Sequence, residues 1–345
     1  MRFAWAAMLG ALTLAPAGAQ TAPTALVKAG ITNALADAPF YVADKRGYFA
    51  QEGLKVELVS FDAAARMVAP LASGELDAGG GGIAAGLFNA VARGVGAKIV
   101  ADKSTSAPGQ STGALMVRKD LIASGKYKTL ADLRGAKLAL PAAGTGTSTS
   151  LDMYFRKFGL SLKDMDLVYL SFPQTAAALA NGAIDAGFLT EPSVTSVISK
   201  GYAETIAGDD VMFPNHQIAV TQYSEKFIRE RRGVAVRFMR ATLLGCRDYM
   251  DSLAGGHLAG PKGDAMISIL VEYSLLKDPA VYREMAVHGC DPDGSLNLAS
   301  LKADLDYFKS QGLIEGQVEV ADAIDPGIAT EALKSIGSRS NMRSR

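Results

Sequence analysis

The chain has few of the residues on which metal, redox and nucleic-acid sites depend. Its 345 residues include two cysteines, three histidines and one tryptophan. The histidines, His216, His257 and His288, have no metal-ligand spacing with each other or with the cysteines, so we predict no metal and no cofactor. Lysine plus arginine and aspartate plus glutamate both total 35, which gives a net charge of zero. Without a basic excess, nucleic acid is not an expected partner.

Long hydrophobic runs are also missing, apart from one at the amino terminus. Phe3 to Leu14 is apolar, follows Arg2 and precedes small residues ending at Ala19, so we predict that residues 1–19 are a secretory signal. This run is too short to span a membrane, and no later stretch is long enough. No cysteine stands at the cleavage site, so we expect no lipid anchor. The one tryptophan, Trp5, lies in this segment, and aromatic contacts to a ligand must then come from Phe or Tyr.

The two cysteines, Cys246 and Cys290, are too few for a disulfide scaffold in a chain of this length. Outside the cytoplasm they can pair with each other, and two buried free thiols are the alternative. At about 150 residues per domain, the length indicates two lobes that each bury a core.

The most informative stretch that is present runs from Leu138 to Phe158. Its apolar start predicts a strand, its Gly-, Thr- and Ser-rich tip a loop, and its apolar residues at i, i+3, i+4 and i+7 a helix. Thr149-x-x-Asp152 fits a capping box at the start of that helix. Free amides of the first turn and the loop hydroxyls would then form a site for an anion or polar group. A plain cap and turn, without a ligand, is the alternative.

Two nucleotide-binding motifs and one hydrolase motif fail on inspection. No lysine follows the tip, as a Walker loop requires, and its glycines lack the third position of a dinucleotide fingerprint. Gly79 to Ala84 reads Gly-x-Gly-x-x-Ala, with Asp102 about 20 residues on, but the matching position of a second copy of this segment has no glycine run. Gly109 to Gly113 reads Gly-x-Ser-x-Gly, yet Ala114 to Val117 after it predicts a strand where a hydrolase elbow needs a helix.

An internal repeat supports two related lobes. Leu71 to Gly79 (LASGELDAG) recurs as Leu179 to Gly187 (LANGAIDAG), and each copy predicts a helix closed by glycine, a tight turn and a strand. Before the first copy, Leu26 to Ile31, a helix beginning at Pro39, and Leu54 to Val59 predict a β-α-β unit with parallel strands.

Two crossings between lobes are predicted, which together make a hinge. Gln110 to Val117 would carry the chain into the second lobe, and Phe213 to Val220 would carry it back. After Ser224 the spacing predicts amphipathic helices over 225–231, 234–252, 264–276, 279–286, 299–311 and 328–336. Residues 338–345 read as a disordered tail.

Several segments together resemble the extracytoplasmic solute-binding proteins of nitrate-, sulfonate- and taurine-type ABC importers, related to the thiamine-precursor-binding group. The resemblance lies in PFYVA from Pro39, KRGYFAQEGLKVE from Lys45, both repeat copies, LADLRGAKLA from Leu130, and Glu191-Pro192. It covers most of the chain after the signal.

The resemblance implies an α/β, two-lobed periplasmic-binding-protein fold of type II-like topology, with a mostly parallel sheet in each lobe and two hinge strands. Lobe one would comprise residues 26–112 and 216–337, and lobe two residues 113–215. Expected ligand-binding residues are Asn33, Pro39, Phe40, Gly80, Gly81, Gly82, Thr145, Gly146, Thr147, Ser148, Glu191 and His216. For Glu191, contact with ligand and capping of the following helix are both open. For Phe40 and Phe213, core packing is the alternative to ligand contact.

The implied function is the periplasmic binding component of an ABC importer, a monomer without catalytic residues that delivers its solute to a membrane permease. The expected solute is a small organic anion or zwitterion, a sulfonate or carboxylate with or without an aromatic or amino group. Two alternatives remain: an enzyme on the same lobes, like those of menaquinone or thiamine pathways, and an exported ligand sensor.

Overall fold

The computed structural model describes residues 24–61, 64–94 and 96–339, so the predicted signal at residues 1–19 lies outside the described residues. The strands are β1 (Ala25–Ile31), β2 (Leu54–Ser60), β3 (Ala78–Gly82), β4 (Ala97–Ser106), β5 (Gly113–Arg118), β6 (Lys137–Leu140), β7 (Asp166–Tyr169), β8 (Ala186–Thr190), β9 (Ala203–Gly208), β10 (His216–Ser224), β11 (Leu253–Ala254) and β12 (His257–Leu258). The helices are α1 (Ala38–Lys45), α2 (Tyr48–Gln51), α3 (Val68–Ser73), α4 (Ala85–Ala92), α5 (Lys119–Ala123), α6 (Gly146–Arg156), α7 (Phe172–Asn181), α8 (Ser193–Ser199), α9 (Asp209–Met212), α10 (Glu225–Glu230), α11 (Arg232–Met250), α12 (Gly260–Tyr273), α13 (Pro279–Glu284), α14 (Leu298–Ser310), α15 (Val320–Ala323) and α16 (Gly327–Ile336).

The first sheet has five strands in the order β2-β1-β3-β10-β4. β1 pairs in parallel with β2 and β3, whereas β10 runs antiparallel to β3 and β4. The predicted β-α-β unit is therefore confirmed. Pro39 occupies the first turn of α1, where its missing N–H costs no helical hydrogen bond.

The second sheet has five strands in the order β7-β6-β8-β5-β9. β6 pairs in parallel with β7 and β8, and β5 runs antiparallel to β8 and β9. β4 ends at Ser106 and β5 begins at Gly113, so segment 107–112 leads from the first sheet to the second. β9 ends at Gly208 and β10 begins at His216, so segment 209–215 leads back. The predicted α/β fold with a mostly parallel, helix-flanked sheet in each lobe is thus confirmed, and each sheet is mixed because one strand, β10 or β5, runs antiparallel to the other four.

The internal repeat builds the same corner in both sheets. Helices α3 and α7 each end at the glycine of the repeat, whose backbone is left-handed with φ of +76° and +75° and therefore suits glycine. The aspartate that follows then accepts a backbone N–H from the neighbouring strand. Lys28 N lies 3.0 Å from Asp77 Oδ2, and Lys137 N lies 2.9 Å from Asp185 Oδ2. The repeat thus fixes how β3 and β8 enter their sheets.

Helices α1 and α11 cover one face of the first sheet. The Phe238 ring of α11 stacks on Phe49 with centroids 5.1 Å apart and lies 5.7 Å from the ring of Phe40. All three rings are buried, and truncating one such ring costs about 3–5 kcal/mol. Gly245 allows the two helices to approach, because a Cβ there would clash with the carbonyl oxygen of Pro39. The start of α1 is therefore held rigidly on the sheet.

Cys246 and Cys290 form a disulfide, so the free-thiol alternative is wrong. The bond joins α11 to the segment between α13 and α14. That segment also contacts the first sheet, since Asp291 N donates to Asp102 Oδ2 at 2.6 Å in β4. The disulfide thus lies close to the strand that leads into the second lobe.

The carboxy-terminal helices agree with the predicted ones within a few residues, but the hairpin β11–β12 and helix α15 were not predicted. The tail prediction is wrong for its first two residues, because Ser338 donates to Asp293 and Arg339 pairs with Asp251. Residues 340–345 lie outside the described part of the chain. Within that part, none of the helices is both long and apolar enough to cross a membrane.

Candidate site between the lobes

Two of the segments predicted to bind a ligand meet between the sheets. The glycine run of β3 continues into Ile83 to Ala85, and these residues pair with the tip before α6. Ala85 N lies 2.9 Å from Gly144 O, and Gly146 N lies 3.0 Å from Ile83 O. The tip therefore faces the other lobe.

Helix α6 begins four residues earlier than the capping-box prediction requires. Thr145 is its N-cap residue, which places Thr149 inside the helix, so the predicted Thr149–Asp152 box is wrong. Asp152 instead accepts Leu162 N at 2.9 Å. In the first turn, Ser148 N donates to the carbonyl oxygen of Thr145 at 2.9 Å. With Gly146 N bound to Ile83, part of the amide set expected for a ligand is already used within the protein.

Exposure divides the predicted binding residues into two groups. Half-buried or exposed residues are Asn33, Gly82, Thr145, Thr147 and Glu191. Buried residues are Pro39, Phe40, Gly80, Gly81, Gly146, Ser148 and His216. The first group contains residues of both sheets, whereas the Phe40 ring lies in the core, as its core-packing alternative required.

Glu191 has the capping contact that the sequence left as one of two alternatives. Its carboxylate accepts Thr195 N at 3.0 Å and Thr195 Oγ1 at 2.9 Å, at the start of α8. Burial raises the pKa of this carboxyl, and these two hydrogen bonds oppose the shift. Both carboxylate oxygens of Glu191 thus have a partner in the helix that follows, α8.

His216 links the two lobes through a buried hydrogen-bond chain. Its Nδ1 lies 3.0 Å from Ser150 Oγ of α6, and its Nε2 lies 3.0 Å from Asp304 Oδ2 of α14. The Phe213 ring stacks on the imidazole with centroids 4.5 Å apart. All three hydrogen-bonding residues are at most 3 % exposed. Gly146 packs directly on the ring, since a Cβ there would lie 2.9 Å from His216 Cε1.

Ser150, His216 and Asp304 stand in the order of a serine-hydrolase triad, but the two ring nitrogens are exchanged, because a triad serine bonds Nε2 and the triad aspartate bonds Nδ1. Ser150 lies in the second turn of α6 and is 2 % exposed. A nucleophile must reach a substrate carbonyl, and this hydroxyl is enclosed by helix and sheet. The arrangement therefore favours a structural link between the lobes over acyl transfer.

A second link joins the two connections between the sheets. Ser111 Oγ donates to Asp209 Oδ1 at 2.6 Å, and Gly113 N donates to Asp209 Oδ2 at 3.0 Å. Burial raises the pKa of Asp209 to about 6. Ser111, the serine of the Gly-x-Ser-x-Gly motif, is thus part of the crossing and has no histidine partner among its described hydrogen bonds.

Lys103 is a buried cation at the site that the sequence analysis missed. Its ammonium pairs with Asp37, and the two side chains are 1 % and 0 % exposed. Asp37 follows β1, and Lys103 lies near the end of β4, so both stand at the edge of the first sheet that carries the predicted ligand loops. The signal in the sequence was a lysine within an otherwise buried strand, just before the chain crosses into the second lobe.

The chain is similar in sequence and in fold to sulfonate-binding proteins. It is 27 % identical over 202 residues to the putative aliphatic sulfonates-binding protein of Escherichia coli K12, covering 58 % of this chain and 60 % of that protein. The alkanesulfonate-binding protein SsuA of Xanthomonas axonopodis pv. citri, solved with MOPS, has a TM-score of 0.66 and 23 % identity, over 88 % of this chain and 99 % of that one.

The desulfurization enzyme DSZB shares the fold with a TM-score of 0.61 and 16 % identity, over 90 % of this chain and 99 % of that one. The fold therefore occurs in both binding proteins and an enzyme. The family model described as NMT1/THI5 like matches residues 36–252. This chain therefore belongs to the NMT1/THI5-like family.

Proposed function

We propose that the chain is the solute-binding component of an ABC importer and that it captures a small organic anion between its two lobes. The observation that carries the proposal is the meeting of the tip before α6 with Ile83 to Ala85 of the other lobe. Loops at the ends of parallel strands are the usual ligand sites of α/β sheets. Here such loops from two sheets face each other.

The mechanism follows from the two connections. Lobe one comprises residues 26–112 and 216–337, and lobe two comprises residues 113–215. Segments 107–112 and 209–215 act as the hinge, cross-linked by Ser111 and Asp209. A ligand that contacts both lobes binds the closed form better than the open one, so it shifts the population towards closure.

The chemistry of the half-buried groups favours an acidic solute. Thr145 and Thr147 bring hydroxyls to the start of α6, the positive end of its helix dipole. Glu191, the one acidic residue among the predicted binding residues, has both carboxylate oxygens bonded to Thr195. A sulfonate or carboxylate, with or without an aromatic or amino group, is the class we infer.

The partner and location follow from the same role. A binding component of this kind acts in the periplasm, as a monomer, and presents the closed, loaded form to an inner-membrane permease. The sulfonate-binding relative supports this assignment.

The second candidate function is catalysis on the same lobes, since an enzyme, DSZB, shares the fold, although the enclosed Ser150 offers no accessible nucleophile. It predicts that the bound acid is converted, whereas the binding role predicts that it is released unchanged.

A thermal-shift panel tests the proposal. The panel contains ethanesulfonate, benzenesulfonate, taurine, acetate, benzoate and nitrate. An acid present at 100 times its dissociation constant should add about 2.7 kcal/mol to the free energy of unfolding. The absence of any shift across the panel would contradict the proposed ligand class.

A further inference from the structure

Lys103 lies where two predicted ligand segments of lobe one converge, the loop from Asn33 to Phe40 and the glycine run from Gly80 to Gly82. Its ammonium pairs with Asp37 from the loop after β1 and lies 5.5 Å from the Phe40 ring centroid. Its side chain crosses Gly80 of β3, where a Cβ would lie 2.6 Å from Nζ. The absence of a side chain at Gly80 thus makes room for the lysine.

Asp37 and Lys103 differ in how many of their hydrogen-bonding groups have partners. A carboxylate has about four acceptor positions. Asp37 Oδ2 accepts the backbone N–H groups of Thr32 and Ala34, each at 3.0 Å, and Thr32 Oγ1 at 3.4 Å, whereas Asp37 Oδ1 accepts Lys103. One carboxylate oxygen of Asp37 therefore holds its own loop, and the other is paired with Lys103.

Lys103 has more donors than partners among the described residues. An ammonium has three N–H donors, and Asp37 is the one acceptor that Lys103 has among the described residues. Phe40 offers only its ring face. A buried ammonium that leaves two donors unused among the described residues requires further acceptors, because an unpaired polar group in the interior is costly.

We propose that Lys103 is the cation that recognises the acid group of the solute, and that Asp37 holds it in place and balances its charge in the unliganded protein. This inference rests on the proposed function and names the group that selects the solute class. The unused donors of Lys103 call for an acceptor such as a sulfonate or carboxylate oxygen. Because Asp37 already pairs with Lys103 and holds its own loop, an amino group finds no free carboxylate there. The start of α1, directly after Asp37, adds the positive end of a helix dipole.

The experiment compares acids with uncharged analogues of the same shape. Binding of ethanesulfonate, benzenesulfonate and benzoate, and of the corresponding amides, is measured calorimetrically for the wild type, Lys103→Met and Lys98→Met. Lys98 lies in the same strand at its far end and pairs with Glu225, so this variant removes the same charge away from the site.

Lys103→Met should weaken the acids by about 10- to 150-fold, the range of a hydrogen bond to a charged group, and change the amides by less than about 3-fold. Lys98→Met should change neither. Equal weakening of acids and amides by Lys103→Met, or no weakening, would overturn the inference. A wild-type chain that binds no acid would overturn the proposed function as well.

Asp37→Asn covers the case in which Lys103→Met leaves an unpaired buried carboxylate and fails to fold. This variant keeps the ammonium and nearly the shape of the carboxyl, so acid binding should be retained or strengthened because no counter-charge competes. The double variant Asp37→Asn/Lys103→Met, which removes both charges, should lose its preference for acids over amides. Loss of acid binding in Asp37→Asn would show that the pair serves only to order the loop.

Discussion

Replacing Gly146 with alanine should weaken the contact between the lobes, because the new methyl group would clash with His216. The added Cβ would lie 2.9 Å from His216 Cε1 and 3.2 Å from Nε2. The imidazole cannot turn aside without giving up a hydrogen bond, since Ser150 and Asp304 hold its two nitrogens at 3.0 Å and Phe213 covers its face. Either the ring network or the contact between the lobes must yield.

The cost follows from overpacking, which destabilises well-packed sites by about 1–3 kcal/mol. The gain in helix propensity from glycine to alanine, up to about 1 kcal/mol, offsets part of it. The ligand binds the closed form. If the overpacking destabilises only that form and not the open one, affinity for an acid of the panel should fall by about 5- to 150-fold.

Gly233→Ala is the matched control. Gly233 is also in the first turn of its helix, α11, and a Cβ there would meet no atom within 4 Å. Urea unfolding and calorimetric titration of both variants would measure stability and affinity separately. Equal behaviour of Gly146→Ala and Gly233→Ala would refute the contact, and lost stability with unchanged affinity would refute its coupling to ligand binding.

Two further predictions concern stability. The disulfide closes a loop of 44 residues, so replacing Cys246 and Cys290 with alanine should lower the free energy of unfolding by about 4 kcal/mol on the chain-entropy model; urea unfolding of this variant beside the oxidised wild type measures the difference, and equal midpoints would contradict it. His288 is buried, and burial lowers its pKa to about 4 from an unfolded value of 6.5. Between these values the unfolded chain binds more protons, so this residue costs about 2 kcal/mol of stability on going from pH 7.5 to 5. Burial raises the pKa of Asp102 and of Asp209 to about 6, and these carboxyls act in the opposite direction, favouring the fold as the pH falls. Comparison with His288→Gln at both pH values isolates the histidine, and an identical pH dependence would contradict the assignment.

The architecture was predictable because its signals are local. The two Leu-Ala-x-Gly-x-x-Asp copies each contain the glycine that ends a helix and the aspartate that pins the next strand. In the structure, Asp77 and Asp185 make the same contact in their two sheets. Such corners depend on backbone conformation and on residues a few positions apart.

The site was less predictable because its contacts are distant in sequence. Thr149 and Asp152 have the spacing of a capping box, but the pairing of Gly146 with Ile83 extends the helix past it. Nothing near Lys103 in the sequence points to Asp37, which is 66 positions away.

The same holds for the chain through His216. It joins residues 66 and 88 positions apart, and only the packing of α6 and α14 around β10 brings them together. The sequence placed His216 at the return crossing but contained no signal for its partners.

Mass spectrometry of the solute after binding distinguishes a binding protein from an enzyme. The chain without its first 19 residues is incubated with the acid that gives the largest thermal shift, freed of excess and then unfolded to release its contents. A binding protein should release one equivalent of the unchanged acid per chain, and the same amount after prolonged incubation. Recovery of a converted product, or of no acid at all, would contradict the binding role.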